Sequence, residues 1–245
     1  MDFASKDVLD ELKKYDTPTV SNALEFFELQ PKVKGFMNHT MQSAIKIDEP
    51  MVGYAVTAKC SASYPPTPAQ MALVEQHYAN VLNTPQAVTV IQDVDPAPIG
   101  SFWGEVNVSQ HKALGSVGTI TEGGVRDLTE IEKIGFGYFS TCILVSHAYI
   151  HMEDVNCPVQ AGGITVYPGD LIHADRHGAL VVPNEIVGEL ADACKAAMYA
   201  EEPVIENCRK AYLKGETVKV ADLMEWRKEL QARKKEAIAK FSRKK

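Results

Sequence analysis

Residues 115–127 combine side chains that can hold an anion and a cation next to each other. A predicted buried strand leads to Glu122 and a glycine pair, and Arg126 and Asp127 then open a predicted helix. Glycines let the backbone approach a ligand, and the positive end of a helix attracts a carboxylate. Arg126 can fork onto oxygen atoms, and Asp127 can bind a hard cation. The pattern indicates an anionic ligand with a metal, while the alternative for Asp127 is an ordinary helix cap.

A second acidic residue, Glu105, follows Gly104 and precedes Arg126 by 21 residues. Folding can bring the two together at one site. A Gly-acid pair beside a helix start offers exposed backbone N–H groups and a carboxylate able to activate water. A Glu that only faces solvent is the alternative interpretation, because Glu is seldom buried.

Four histidines form a third candidate set, in which His147 and His151 lie four residues apart, as do His173 and His177. Two side chains at that spacing share a side on a helix and also on a strand. A transition-metal site is one interpretation, although no metalloprotease-like acid lies between the first pair. Contacts with substrate and purely structural roles are the other two interpretations.

The elements that must position these side chains are predicted from hydrophobic periodicity and turn residues. Helices are predicted at residues 7–29 (two, broken at Thr17 and Pro18), 68–83, 102–113, 126–134 and from 185 to the end. Strands are predicted at 51–60, 87–92, 117–120, 141–146, 159–166 (as a hairpin), 171–174 and 179–182, with a Gly-Gly turn before the helix at 126–134. This order favours stacked sheets flanked by helices over an open parallel sheet.

Length and composition predict one main domain over residues 1–245, because a chain of 245 residues that is 45% hydrophobic can bury one large core. No run approaches the roughly 18 to 20 apolar residues of a membrane span, and the charged N-terminal stretch is unlike a secretory signal. We therefore expect a cytoplasmic protein. The five cysteines include no Cys-x-x-Cys pair, so neither a disulfide framework nor a thiolate zinc site is indicated.

Charge is distributed unevenly along the chain. Residues 225–245 hold nine Lys and Arg against three Glu, and since the whole chain has a net charge of −7, the remainder carries −13. This acidic body argues against nucleic acid as the main ligand. The basic segment can bind RNA or anionic lipid. The spacing of Leu223, Trp226 and Leu230 instead favours a surface helix that buries one apolar face.

A longer pattern, Gly-x-x-Gly-x-x-x-x-Gly-x-x-Arg-Asp, ends at Asp127. Further pieces accompany it in a fixed order: Thr17-x-Thr19-Val20-x-x-Ala23-Leu24, Val52-Gly53-x-Ala55-Val56-Thr57, Gly104-Glu105, Gly169-Asp170-Leu171, and Asp175 with Gly178. Together they resemble the family of the regulator of ribonuclease activity A and the class II 4-hydroxy-4-methyl-2-oxoglutarate/4-carboxy-4-hydroxy-2-oxoadipate aldolases. The resemblance covers about residues 17–183. Glu122 and Asn22 stand where that family often has Asp.

The resemblance implies an α/β fold, a three-layer β/β/α swivelling-type domain with its core at about 17–183. A helical C-terminal extension would follow at 184–245. It also implies a homotrimer or homohexamer with active sites between subunits, and a divalent metal, Mg²⁺ or Mn²⁺.

Carried over onto this chain, the family's site assigns the metal to Asp127, held largely through water. Arg126 would contact the 2-oxo oxygen of the substrate, and Glu105 would position a catalytic water. The substrate carboxylate would be held at Gly104 by the backbone N–H groups that follow, those of Val106 and Asn107.

Two further contributions to the site are expected from outside this segment. His147, if it touches the substrate, would contact the group beyond the cleaved bond. An acid from a neighbouring subunit's C-terminal region would complete the site, and Glu201 and Glu202, just before Pro203, are the candidates, with Glu202 chosen as catalytic. A helix from 185 to 200 that stops near the proline would present them. Two solvated carboxylates are the alternative.

The implied reaction is metal-dependent cleavage of a 4-hydroxy-2-oxo acid to pyruvate and an oxo compound, with oxaloacetate decarboxylation by the same enolate chemistry. Two alternatives stay open. One is a lyase or decarboxylase that acts on a sugar-derived 2-oxo acid, and the other is a non-catalytic protein-binding regulator of ribonuclease.

Overall fold

A computed structural model describes residues 3–244, so Met1, Asp2 and Lys245, which the predicted domain boundaries include, lie outside it. Contacts divide the chain into two compact units. The first holds the residues up to 17 together with 33–185, and the second holds residues 18–32 together with those from 186 onward.

The helices are α1 (Lys6–Leu12), α2 (Thr17–Phe27), α3 (Pro68–Leu82), α4 (Glu105–Ala113), α5 (Leu128–Ile134), α6 (Val187–Leu213) and α7 (Val220–Phe241). The strands are β1 (Gln42–Ser43), β2 (Met51–Ser61), β3 (Ala87–Asp93), β4 (Ser101–Trp103), β5 (Gly118–Val125), β6 (Gly137–Ile143), β7 (His151–Val155), β8 (Val159–Ala161), β9 (Ile164–Val166), β10 (Leu171–Asp175) and β11 (Gly178–Val182).

Within the described part of the first unit, nine strands form one sheet in the order β1-β6-β5-β3-β2-β10-β11, with β4 paired to β5 and β7 paired to β2. Strands β2, β3, β5 and β6 are parallel neighbours. β2 is buried along almost its whole length, which is typical of a strand covered on both faces. The hairpin β8-β9 forms a separate two-stranded sheet.

Two apolar layers lie on opposite faces of the large sheet. On one face the hairpin side chains Val159 and Val166 pack with Val88, Val90 and other core residues. On the other face Trp103, Val108 and Ile131, from β4, α4 and α5, pack against Cys60 and Ile91 of the sheet. The unit therefore has a β layer, a second β layer and a helical layer, which confirms the predicted fold class.

The segment around the predicted Gly-Gly turn differs from the sequence prediction. Gly123 and Gly124 lie inside β5, because Gly124 pairs with Ser101 of β4 and with Cys142 of β6. Gly124 is needed for packing: a Cβ there would lie 2.5 Å from the side chain of Leu144. Residues 102–103, predicted as helix, are strand, and α5 begins at Leu128 instead of Arg126.

Other predicted elements agree more closely with the structure. The helix at 68–83 is α3, started by a capping box of Thr67 and Gln70 with Pro68 in the first turn. The strands at 51–60, 87–92, 171–174 and 179–182 and the hairpin at 159–166 are present, while the strand predicted at 141–146 is observed earlier, as β6. Strands β1 and β7 were not predicted from the sequence.

The second unit contains the C-terminal helices, and α6 does not stop at Pro203 as predicted but continues to Leu213. A proline inside a helix removes one N–H donor, here the one that would reach the carbonyl of Tyr199. Arg233 of α7 replaces it: its guanidinium donates to the Tyr199 carbonyl at 2.8 Å and lies 4.0 Å from the Tyr199 ring centroid. The helix therefore continues because α7 supplies the missing donor.

Helix α7 buries one face, as its spacing predicted. Ala237 and Phe241 are buried, and Leu223, Trp226 and Leu230 are partly buried. The Phe241 ring packs on that of Phe27, with centroids 5.5 Å apart. Among residues 3–244, none of the helices is both long and apolar enough to span a membrane.

We predict that Arg233→Met destabilises the chain by about 1–2 kcal/mol, because the Tyr199 carbonyl loses its donor. In a Pro203→Ala background residue 203 regains its N–H, so the same substitution should cost clearly less. Urea denaturation of the four proteins gives the coupling free energy. Arg209→Met, which breaks an exposed pair with Glu206, serves as the control and should change stability by less than about 0.5 kcal/mol. Equal costs of Arg233→Met in both backgrounds would contradict this account.

Candidate active site

The candidate site lies where β4 and β5 end. These strands are parallel, and Trp103 of β4 pairs with Val125 of β5. The segments that follow them, Gly104 with Glu105 and Arg126 with Asp127, therefore leave the sheet side by side. This arrangement explains how two motifs 21 residues apart meet.

The Asp127 carboxylate joins the two segments. Its Oδ2 accepts the backbone N–H of Glu105 at 2.8 Å. Asp127 adopts a left-handed backbone conformation, with φ of 58°, and caps α5 without a side-chain bond to that helix. Asp and Asn tolerate this conformation better than other non-glycine residues. Asp127 thus occupies the predicted cap position of α5, but its carboxylate accepts a hydrogen bond from the first residue of α4 and not from α5.

The contact between Asp127 and Glu105 requires a glycine at position 104. A Cβ at Gly104 would lie 2.7 Å from Oδ2 of Asp127 and 2.9 Å from Nε of Arg126. Because the Gly104 backbone is extended, the constraint is steric and not conformational. Only a glycine leaves room for both side chains to approach the start of α4.

Arg126 is held by its backbone and leaves its guanidinium available. Its N–H donates to the carbonyl of Trp103 at 3.1 Å, and its carbonyl accepts from the Tyr138 hydroxyl at 2.9 Å. Nε is buried and, among the described residues, has no hydrogen-bond partner, while it lies 3.9 Å from Oδ2 of Asp127. The side chain is about one third exposed. A buried cationic donor without an acceptor fits an anionic ligand.

The first turn of α4 adds backbone donors. The Glu105 N–H is taken by Asp127, and the Val108 N–H donates to the Gly104 carbonyl at 3.0 Å. Between them, the N–H groups of Val106 and Asn107 donate to no acceptor in the described part of the chain. Asn107 uses its side chain to donate to the carbonyl of Phe102. Free N–H groups at the positive end of a helix attract a carboxylate.

The donor set fits a hydrated hard cation. Oδ2 of Asp127 is committed to Glu105, which leaves Oδ1 for a cation or its water. The exposed carboxylate of Glu105 belongs to the same turn. Among the described residues, no cluster of three or more His, Cys, Asp or Glu side chains that could hold a metal is found. One or two carboxylates with water ligands are what Mg²⁺ commonly takes in proteins.

His147 lies in the loop after β6 and not directly beside Arg126 and Asp127. The Ser101 N–H donates to the Ser146 carbonyl at 2.9 Å, so this loop crosses the start of β4. A Cβ at Gly100 would lie 2.6 Å from the His147 carbonyl. The exposed His147 ring bonds through Nδ1 to the Ala148 carbonyl at 2.7 Å. It therefore lies at the opposite end of β4, roughly 10 Å along the strand from Gly104.

The other three histidines of the candidate set make structural contacts. His151 bonds to Glu153 at 2.7 Å, and His177 bonds to Asp175 at 3.0 Å. His173 is fully buried and lies 3.0 Å from the Thr17 hydroxyl. Of the interpretations left open, these contacts favour the structural one for all three.

Glu202 belongs to the second unit, where its carboxylate pairs with Arg233 at 3.2 Å. The neighbouring Glu201 accepts a bond of 3.1 Å from the side-chain amide of Asn22. An aspartate at position 22 would place two carboxylates in contact, so Asn22 and Glu201 form a matched pair. The predicted role of Glu202 toward a neighbouring subunit stays a prediction.

Glu122, the other departure from the family pattern, connects β5 to the small hairpin. Its carboxylate accepts the N–H of Gly162 between β8 and β9, and its carbonyl accepts the Thr141 hydroxyl. These contacts assign Glu122 a structural role beside the candidate site.

Two residues that support the site from beneath were not predicted from the sequence. Trp103 and Tyr138 are fully buried under Arg126, and burial raises the pKa of the Tyr138 hydroxyl above its usual range. For Trp103 the available signal was its position next to Gly104, whereas Tyr138 lay outside every predicted helix and strand.

Comparison with known proteins finds a matching family model and several sequence relatives. A family model described as RraA-like, Aldolase/RraA, matches residues 9–181. Protein DlpA of Legionella pneumophila is 32% identical over 108 residues, 42% of this chain and 17% of that protein. The protein named "Putative 4-hydroxy-4-methyl-2-oxoglutarate aldolase" in Halalkalibacterium halodurans is 32% identical over 83 residues, 33% of this chain and 39% of that protein. The matches thus span well under two thirds of these relatives.

Solved structures agree on the fold. An uncharacterized protein from Pseudomonas syringae pv. tomato superposes with a TM-score of 0.68 at 25% identity, over 93% of this chain and 97% of that one. Streptomyces coelicolor RraAS2, described as an unusual member of the RNase ES inhibitor RraA family, gives 0.65 at 21% identity, over 85% and 98% of the two chains.

We predict that the stability of Asp127 variants depends on two properties of the new residue: its tolerance of the left-handed backbone conformation and its ability to accept the Glu105 N–H. Asp127→Asn keeps an acceptor for the Glu105 N–H and tolerates the left-handed conformation, so stability should change by less than about 0.5 kcal/mol. Asp127→Ala loses the acceptor and fits that conformation poorly, so it should cost about 1–2 kcal/mol. Asp127→Gly, which relieves the backbone but lacks the acceptor, should fall between them. Urea denaturation measures the series, and an Ala variant as stable as the Asn variant would contradict the assignment.

Proposed function

The chain belongs to the RraA-like (Aldolase/RraA) family, and from that premise we propose that it is a divalent-metal-dependent lyase acting on a 4-hydroxy-2-oxo acid. The products would be pyruvate and an oxo compound. The observation that carries the proposal is the convergence of Asp127, Arg126 and the free N–H groups of α4 at Gly104. A 2-oxo acid carries a carboxylate and an adjacent carbonyl oxygen. The free N–H groups at the start of α4 suit the carboxylate, and Arg126 together with a cation at Asp127 suits the carbonyl oxygen.

Substrate binding follows from these positions. The N–H groups of Val106 and Asn107 would hold the C1 carboxylate at the positive end of α4. The Arg126 guanidinium would bind the C2 oxygen, since its Nε has no acceptor in the described chain. Arg suits this role because its charge is fixed and its donors are planar.

Asp127 would hold the divalent cation, Mg²⁺ or Mn²⁺, largely through water. When bound, the cation supplies positive charge that polarises the 2-oxo acid and stabilises negative charge developing on its oxygen. The contact with the Glu105 N–H orients the Asp127 carboxylate toward α4.

Glu105 would accept the proton of the C4 hydroxyl, directly or through a water that it positions. The C4 oxygen then forms a carbonyl as the C3–C4 bond breaks, and the electron pair of that bond becomes the enolate of pyruvate. Arg126 places positive charge beside the enolate oxygen, a contribution on the order of several kcal/mol to the barrier. Transfer of that proton from Glu105 to C3, directly or through water, completes pyruvate and restores the Glu105 carboxylate. Loss of CO₂ from oxaloacetate gives the same enolate, so oxaloacetate decarboxylation is an expected side activity.

The group beyond the cleaved bond would be selected at the loop of His147, at the other end of β4. Nδ1 of His147 donates to the Ala148 carbonyl, so Nε2 of the neutral ring is an acceptor and suits a hydroxyl of a sugar-derived polyol, whereas a second carboxylate would need the doubly protonated ring.

We predict that purified protein with Mg²⁺ or Mn²⁺ releases pyruvate from a 4-hydroxy-2-oxo acid within a panel that includes 4-hydroxy-4-methyl-2-oxoglutarate, sugar-derived analogues and oxaloacetate. Chelation should abolish turnover, and added Mg²⁺ should restore it. Coupled detection of pyruvate measures both. Asp127→Asn, expected to fold, is the matched control and should be inactive. Turnover in excess chelator would refute metal dependence, and no pyruvate from any substrate would favour the non-catalytic regulator of ribonuclease.

We further propose that the chain assembles as a homotrimer or homohexamer and that Glu202, or its neighbour Glu201, completes the site of an adjacent subunit. The premise is the family assignment together with the position of both residues on α6. To serve a neighbouring site, Glu202 would exchange its partly exposed pair with Arg233, and such exposed pairs contribute little stability.

Subunit mixing tests this proposal. Inactive Asp127→Ala subunits mixed with inactive Glu201→Ala/Glu202→Ala subunits should regain part of the turnover, because mixed oligomers contain sites that combine two intact halves. The control mixes Asp127→Ala with Arg126→Ala, whose lesions share one segment and should not complement. Failure to recover activity after subunit exchange has been verified would mean that each site is built within one chain or that neither glutamate takes part.

A further inference from the structure

A pair of buried histidines lies behind the proposed site and has no part in the chemistry derived above. His77 of α3 and His111 of α4 are both fully buried, and their Nε2 atoms lie 3.0 Å apart. Nδ1 of His111 lies 2.7 Å from the Asn107 carbonyl, whereas Nδ1 of His77 has no hydrogen-bond partner among the described residues.

These contacts determine where the ring protons lie. A carbonyl only accepts, so Nδ1 of His111 must carry a proton, and Nε2 of a neutral His111 is then a bare acceptor. His77 must therefore donate from Nε2, which leaves its Nδ1 as a bare nitrogen. Burial lowers the pKa of His77 to about 3 and that of His111 to about 4, which agrees with two neutral rings.

The pair connects α3 to the start of α4. His111 bonds to Asn107, one turn earlier in α4, and its ring packs on Trp103, with centroids 4.6 Å apart. The carbonyl of Trp103 in turn accepts the Arg126 N–H. His111 thus contacts the first turn of α4 on one side and, on the other, the residue that bonds to Arg126.

We propose that His77 and His111 are a positioning pair: the proton that His77 donates holds His111 in its less common Nδ1–H form, and this sets α4 and Trp103 so that the Glu105 N–H faces Asp127. The pair itself is independent of any reaction. Its consequence for ligand binding rests on the proposed function.

Nitrogen-15 NMR of the imidazole rings tests the proton positions directly. We expect His111 in the Nδ1–H form and His77 in the Nε2–H form at neutral pH, with His77→Gln and His111→Gln used for assignment among the seven histidines. An Nε2–H form of His111, or a charged ring in either residue, would overturn the proposal.

Amide hydrogen exchange of Glu105 tests positioning without any ligand. His77→Leu removes the donor to His111. The bond between the Glu105 N–H and Asp127 should then open about ten times more often, and the Glu105 amide should exchange about tenfold faster. His77→Gln keeps an N–H donor and should restore slow exchange. Val88→Ala, a core truncation on the opposite face of the sheet, controls for general loss of stability. Equal exchange in the Leu and Gln variants would mean that the pair only fills space.

Binding of oxalate with Mg²⁺ links the pair to the proposed function, because oxalate resembles the planar enolate of pyruvate. Its Kd should rise by about tenfold in His77→Leu and stay near the wild-type value in His77→Gln and Val88→Ala. If wild-type protein binds no oxalate while the proton positions and Glu105 exchange behave as expected, the positioning pair stands and the proposed function fails. If oxalate binds wild type and His77→Leu equally, the pair does not position the site.

Discussion

The hydrogen bond from the Glu105 N–H to Oδ2 of Asp127 joins the two halves of the candidate site. It ties the start of α4, which follows β4, to the residue that caps α5 after β5. Two conditions make it possible: Asp127 adopts a left-handed conformation, and Gly104 lacks the Cβ that would collide with the carboxylate. With this contact in place, the free N–H groups of α4, the Arg126 side chain and one carboxylate oxygen lie side by side. The proposed binding of a cation and of an anion would both depend on it.

Elements whose conformation is determined by residues within the element itself were predicted from the sequence. The capped helix α3, the buried strands β2 and β3 and the hairpin at Gly162 and Gly163 were predicted because periodicity and turn residues are enough to specify them. The glycine pair at 123 and 124 was misread as a turn, because its strand conformation depends on pairing with β4, which begins 23 residues earlier. A three-residue strand such as β4 has no local signature of its own.

The candidate site was predictable in part for the same reason. Residue types and spacing indicated Arg126, Asp127 and Glu105, because charge, glycine and a helix start are visible in the sequence. The bond between His77 and His111 was not predictable, since it joins residues 34 positions apart whose burial depends on helix packing. Continuation of α6 past Pro203 likewise depends on Arg233, a residue of the next helix, so the proline was read locally as a helix end.

This site is proposed to form and stabilise the enolate of pyruvate, and exchange at the pyruvate methyl group tests that claim without knowledge of the distal substrate group. In D₂O with Mg²⁺ and pyruvate, we expect enzyme-dependent loss of the methyl proton signal by NMR. Exchange should be lost on chelation and reduced by about tenfold or more in Arg126→Lys, whose point charge cannot replace the planar fork. Exchange no faster than in protein-free solution, from folded wild-type protein with Mg²⁺ present, would contradict the claim.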